Sequence, residues 1–294
     1  LMGYGFIASI VPVWTLLQPR EYINSHQLIV GLLLIYTGIM VAQPMMDAPA
    51  FEMSGNPISW FPFLFITIAC GAISGFHALV SSGTTSKQIS SIKDSRFIGY
   101  GGMIAESLLG LIAVLACTTT LGSSTAWAKL YVNWSAVADN LAAKLGVFIH
   151  GSASFIAHLG VPEELAITLV AMVVVSFALT TLDSATRLLR FNLEELGIKN
   201  RYIATLTACT FICFFAFYKI DGKAAGLSLW TLFGATNQLI AGLALLTATA
   251  YLRQRKRTIW PLAIPAVFMI AMTMFGLSVK LMNFAEQAQW LLFG

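Results

Sequence analysis

Between positions 259 and 279 the chain reads IWPLAIPAVFMIAMTMFGLSV, 21 residues without one charged side chain. As a helix this run is about 31 Å long, enough to cross a hydrocarbon core about 30 Å thick. Comparable runs recur, and membrane segments are predicted at 1–17, 27–43, 60–82, 98–121, 162–185, 202–218, 225–251 and 259–280. Only 10% of the 294 residues are charged, 57% are hydrophobic, and the mean hydropathy is +0.79. A soluble domain carries about a quarter charged residues, so the polar surface here is too small to cover a globule. The chain reads as an all-α polytopic membrane protein with the lipid bilayer as its solvent.

Charge placement orders these segments. Of the 17 Lys and Arg, twelve fall in one set of alternate loops: Arg20; Lys87, Lys93 and Arg96; Arg187, Arg190, Lys199 and Arg201; Arg253, Arg255, Lys256 and Arg257. The other set holds Lys129, Lys144, Lys219, Lys223 and Lys280. Cytoplasmic loops carry such an excess, which places the richer set inside and position 1 on the outer side. The net charge of +4 therefore describes topology, not a nucleic-acid partner. Cys70, Cys117, Cys209 and Cys213 all lie in apolar segments and read as small buried hydrophobes; no metal-ligand or disulfide pattern accompanies them. The chain opens inside an apolar run with no basic segment or cleavage site, as expected of a piece of a longer protein. The 39-residue stretch 122–160, with Trp127, Trp134, Phe148, His150 and His158, is too long for a plain linker and predicts short helices over the outer mouth.

The segment 60–82 is interrupted chemically. Within CGAISGFHALVSSG, positions 70–83, stand three glycines, three serines and a histidine. In lipid an unwound helix survives only inside protein or beside a water-filled cavity. Gly71, Ser74, Gly75, His77 and Ser81 are the candidate substrate-binding residues, offering freed backbone groups and hydroxyls to a small polar solute. The GxxxG spacing of Gly71 and Gly75 serves close helix packing equally well. His77 reads as a cavity-facing group or a hydrogen-bonded packing residue. Asn237 and Gln238, an amide pair in an apolar segment, either complete the cavity or bond between helices.

Glu106 lies eight residues into its segment, where a carboxylate costs about 2.5–3.5 kcal/mol to insert; it is protonated, paired or a proton carrier. Asp183 stands four residues before Arg187, the spacing of an i,i+4 salt bridge. The hydroxyls of Thr180, Thr181 and Ser184 either bond back to helix carbonyls or line a cation site. His77, Glu106, Thr180, Thr181 and Ser184 are therefore the candidates for ion coupling, with H+ or Na+ (the latter at Thr180, Thr181 and Ser184) as the coupling ion. No cofactor, catalytic residue or resident metal is expected, and no HExxH or GxSxG pattern occurs. A channel or a structural subunit of a membrane complex is the alternative; a channel needs a continuous polar lining, whereas the polar residues gather on a few segments.

Five stretches stand out: PVWTLLQPREY (12–22), FPFLFITIACGAISGFHALVSSGTTSKQI (61–89), IGYGGMIAESL (98–108), TTLDSATRLLRFNLEELG (180–197) and LWTLFGATNQLIAGLALL (229–246). Together they resemble the carbon starvation protein A family, the CstA-type peptide and pyruvate transporters. The resemblance implies a non-enzymatic transporter of the cytoplasmic membrane that takes up peptides or small carboxylates such as pyruvate during carbon starvation. It also implies a leucine-transporter-type inverted-repeat bundle. Residues 1–43 would be the last two helices of the first repeat, 60–251 the second repeat with an outer helical loop at 122–160, and 259–294 an extra helix and tail. About eight transmembrane helices are expected.

Overall fold

A computed structural model describes residues 2–50, 65–131, 141–220, 223–228 and 230–286. The helices are α1 Met2–Ile10, α2 Val13–Ala42, α3 Phe65–Ala72, α4 Gly75–Gly83, α5 Asp94–Thr119, α6 Ser124–Leu130, α7 Leu141–Ala157, α8 Glu163–Glu195, α9 Arg201–Phe217, α10 Ala225–Ser228, α11 Trp230–Gln254 and α12 Trp260–Glu286. A two-residue antiparallel hairpin, β1 Lys219–Ile220 with β2 Lys223–Ala224, joins α9 to α10. Among the described residues five helices are long and apolar enough to cross a membrane: Val13–Ala42, Asp94–Thr119, Glu163–Glu195, Phe233–Gln254 and Trp260–Val279. This makes a multi-pass helical membrane protein, with five such helices where about eight were expected.

The shortfall has physical causes. The stretch QPREYINSH at 18–26 looks like a loop because it is polar, yet it lies inside the single 30-residue helix α2. Two of its polar side chains face α8: Asn24 is buried and Arg20 is four-fifths buried. The chain breaks earlier, at Val11–Pro12, where Pro12 is the N-cap of α2 at φ −55° and ψ 144°; proline biases the preceding residue away from helix. The predicted segments 1–17 and 27–43 are therefore the nine-residue α1 and one long helix. The segment 60–82 is divided between α3 and α4, its first residues lying outside the described ones, and α9 has only 17 residues.

Two compact units emerge, Leu1–Pro57 with Ile89–Thr207, and Ile58–Gln88 with Ala208–Gly294. In the first, α7 is the central element, packed against α2, α5 and α8. Its core joins Ile35 of α2, Ile112 and Ala116 of α5, Ala153, Phe155 and Ile156 of α7, and Ala166 and Val170 of α8. Close approach requires glycine at Gly38, where a Cβ would lie 2.1 Å from the Phe155 carbonyl oxygen. The stretch 122–160 thus contributes a buried helix, not only a cover; residues 132–140, which include Trp134, lie outside the described ones.

Pairings within this unit fix the relative directions of its helices. Arg20 meets Asp183 and Asn24 meets Thr180 and Ser176, so α2 and α8 are antiparallel. The Tyr36 hydroxyl donates to the Leu108 carbonyl at 2.7 Å, and the amides of Asp47 and Ala48 reach Thr118, so α2 and α5 run the same way. These are the directions that the charge alternation assigns. In the second unit α11 packs against α12, α3 and α4, over a core of Ala235, Ala241, Ala266, Met269 and Met272.

Candidate functional site

The site starts from a helix that stops and restarts. α3 ends at Ala72, and α4 begins at Gly75 with Ser74 as its N-cap in extended geometry, φ −89° and ψ 138°. A serine there replaces the missing intrahelical acceptor, because its hydroxyl can take the amide hydrogen of the first turn. The Phe76 N–H donates to Ser74 Oγ at 3.1 Å and to Asn237 Oδ1 at 2.8 Å. Asn237, on α11, also donates through Nδ2 to Ser74 Oγ at 2.9 Å and to Cys70 Sγ at 3.4 Å. One carboxamide therefore bridges the last turn of α3 and the first of α4. Asn237 is 4% exposed and Ser74 8%.

Gly75 makes this approach possible, since a Cβ there would lie 2.2 Å from the Asn237 backbone oxygen and 2.7 Å from Ile240 Cβ. Gly71, its GxxxG partner, has nothing within 4 Å of its Cβ position. Close packing is thus a property of Gly75 that Gly71 does not share, and the break itself falls between them at Ile73 and Ser74. The break gathers a backbone donor, a hydroxyl and an amide in an apolar setting, a combination that can orient a polar solute by hydrogen bonds.

Of the residues predicted for the site, Ser74, Gly75 and Asn237 meet. Gln238 is fully buried beside Asn237 on α11. His77 is exposed in the first turn of α4, and Ser81 is exposed with its hydroxyl bonded back to the Ala78 carbonyl at 3.0 Å. The ion-coupling candidates Glu106, Thr180, Thr181 and Ser184 belong to the other unit. Glu106 is exposed on α5. Thr180 donates to the Ser176 carbonyl at 3.0 Å and accepts from Asn24 Nδ2 at 2.6 Å, and Thr181 donates to Phe177 at 3.1 Å. Both threonines make the bond back to the preceding turn; Ser184 is half-buried beside them. Among the described residues no three His, Cys, Asp or Glu side chains gather as a metal site.

One expected pair is not made. Asp183 pairs with Arg20 of α2, not with Arg187. Arg187 instead reaches the end of α1, where its Nη2 donates to the Ala8 carbonyl at 2.5 Å and to Val11 at 2.8 Å. Carbonyls at a helix C-terminus lack intrahelical partners and carry partial negative charge, so they outbid the i,i+4 geometry. Arg20 and Asn24 were missed by reading 18–26 as a loop. Their four-residue spacing, matched by Thr180 and Asp183 three apart, is the signal of two facing helix stripes.

The family model described as Carbon starvation protein CstA matches residues 1–142 and 123–276. A peptide transporter CstA from Helicobacter pylori (strain J99) is 33% identical over 339 aligned positions, covering 96% of this chain and 49% of that protein. The Escherichia coli K12 peptide transporter CstA is 30% identical, over 93% of this chain and 48% of its own length. The pyruvate/proton symporter BtsT of Escherichia coli K12 is 32% identical, over 98% of this chain and 51% of its own. The chain spans about half the length of the curated relatives it matches. No solved structure matches it. Its named relatives are transporters, not enzymes, and the chain belongs to the carbon starvation protein CstA family.

Proposed function

We propose that this chain forms part of an ion-coupled secondary transporter of the cytoplasmic membrane, taking up peptides or small carboxylates such as pyruvate when preferred carbon runs short. The observation that carries this reading is the interrupted α3–α4 helix. Its Phe76 amide and Ser74 hydroxyl converge on one carboxamide, and discontinuous helices at mid-membrane are where transporters hold their solutes. The Asn237 carboxamide occupies the kind of place that a peptide group or a carboxylate would take. The α3–α4 helix is then the first helix of an inverted second repeat over 60–251, preceded by the end of the first repeat at 1–43 and followed by an extra helix at 259–294. H+ carried by His77 and Glu106, or Na+ held by Thr180, Thr181 and Ser184, couples uptake to an ion gradient.

Vesicles carrying the whole protein test this with labelled pyruvate and a labelled dipeptide, under an imposed pH or sodium gradient. One solute should accumulate under one gradient. Ser74→Ala and Asn237→Ala should each slow uptake by about tenfold or more. If protons are the coupling ion, His77→Gln should retain binding and lose accumulation, because glutamine does not titrate near neutral pH. Failure of both solutes to accumulate under either gradient overturns the reading.

A further inference from the structure

A second polar cluster lies wholly within the first unit, at the end where α1 turns into α2. Arg20 Nη1 donates to the Tyr4 hydroxyl at 3.0 Å and pairs with Asp183, while its Nη2 donates to the Ser176 carbonyl at 3.1 Å. Arg187 holds the carbonyls of Ala8 and Val11, the last turn of α1 and the elbow itself. Two guanidiniums thus fasten α1 and the elbow to α8. α1 also packs along α8, burying Gly5, Ala8 and Ser9.

The other end of the unit is held differently, by the apolar core around Phe155 and Ile156. Such packing has no single contact whose loss opens it. An ion pair is directional and is either made or broken. The closed cluster is also incompletely satisfied: Ser9 Oγ, Asp183 Oδ1 and Arg187 Nε are buried without a hydrogen-bond partner among the described residues. Lifting the elbow would give water access to all three, which offsets part of the lost ion pairing.

We propose that the Arg20–Asp183 pair and the grip of Arg187 on α1 form a latch, which opens the α1–α2 elbow away from α8 while the apolar end stays packed. Its role in a transport cycle rests on the transporter reading above; its opening does not, and is measured without solute. Ser9 and Ala153 are both fully buried, one at each end. Each is changed to cysteine in whole protein whose Cys70, Cys117, Cys209 and Cys213 have been replaced by alanine. N-ethylmaleimide labelling is then followed in inside-out membrane vesicles. Asp183→Asn should raise the labelling rate of Ser9→Cys by about tenfold or more and leave Ala153→Cys protected. Arg20→Lys, which keeps the charge but loses the guanidinium fork, should raise it in the same direction and serves if Asp183→Asn does not reach the membrane. An unchanged Ser9→Cys rate in both variants overturns the latch. So does a parallel rise at Ala153→Cys, which would make the cluster a brace for the whole unit. Uptake by the wild type judges the transporter reading separately.

Discussion

At the scale of single residues, Gly75 and Gly71 separate two roles that their spacing confounds. A methyl group at Gly75 meets the Asn237 carbonyl oxygen at 2.2 Å, a backbone atom that cannot turn aside, whereas at Gly71 it meets nothing within 4 Å. Gly75→Ala should therefore force α4 off α11 and lower stability by about 1–3 kcal/mol, the usual range for overpacking. Gly71→Ala should be neutral or stabilising by up to about 1 kcal/mol, since alanine loses less entropy in a helix. Thermal melts of the purified protein in detergent read both. Equal losses would show that the close approach at Gly75 is not what holds the break. His77 and Glu106, singled out because ionisable groups are costly in lipid, are both exposed on their own helices, and burial alone therefore gives them no role.

At the scale of elements, α2 is the helix whose continuity matters most. It presents Arg20 and Asn24 to α8 near one end and Ile35 and Gly38 to α7 near the other. One alanine inserted between His26 and Gln27 would rotate these two halves by about 100° relative to each other. A loop would absorb the insertion; a helix cannot. The expected outcome is loss of folded protein on gel filtration in detergent, while the same insertion at Gly197, where φ is +115° beyond the end of α8, is tolerated. Tolerance of the α2 insertion would restore a loop at 18–26. α7 teaches the complementary lesson. Its apolar face reads from the sequence as an amphipathic cover, and in the fold that face becomes the core of its unit.

At the scale of the whole molecule, the charge alternation assigns α2 and α5 outward and α8 inward, and within the first unit the helices run in those relative directions. Cysteine at Ser123, in the exposed start of α6, should therefore react with an impermeant maleimide applied to intact cells, and cysteine at Thr258, in the basic stretch after α11, should not. Labelling of Thr258→Cys from outside would invert the assignment.

Much of this architecture follows from local chemistry. Apolar length dictates helices that cross a membrane, and the clustering of glycine and serine at 70–83 marks where a helix breaks, because both effects depend only on residues near in sequence. The contacts that give the break and the polar end their character are of another kind. Ser74 and Asn237 are 163 positions apart, and so are Arg20 and Asp183. An arginine's reach spans several competing acceptors, and a polar stretch looks the same as a loop or as a helix stripe until its neighbour is known. Which helix lies alongside decided that Asp183 pairs with Arg20, that Arg187 closes α1, and that a single amide fills the break between α3 and α4.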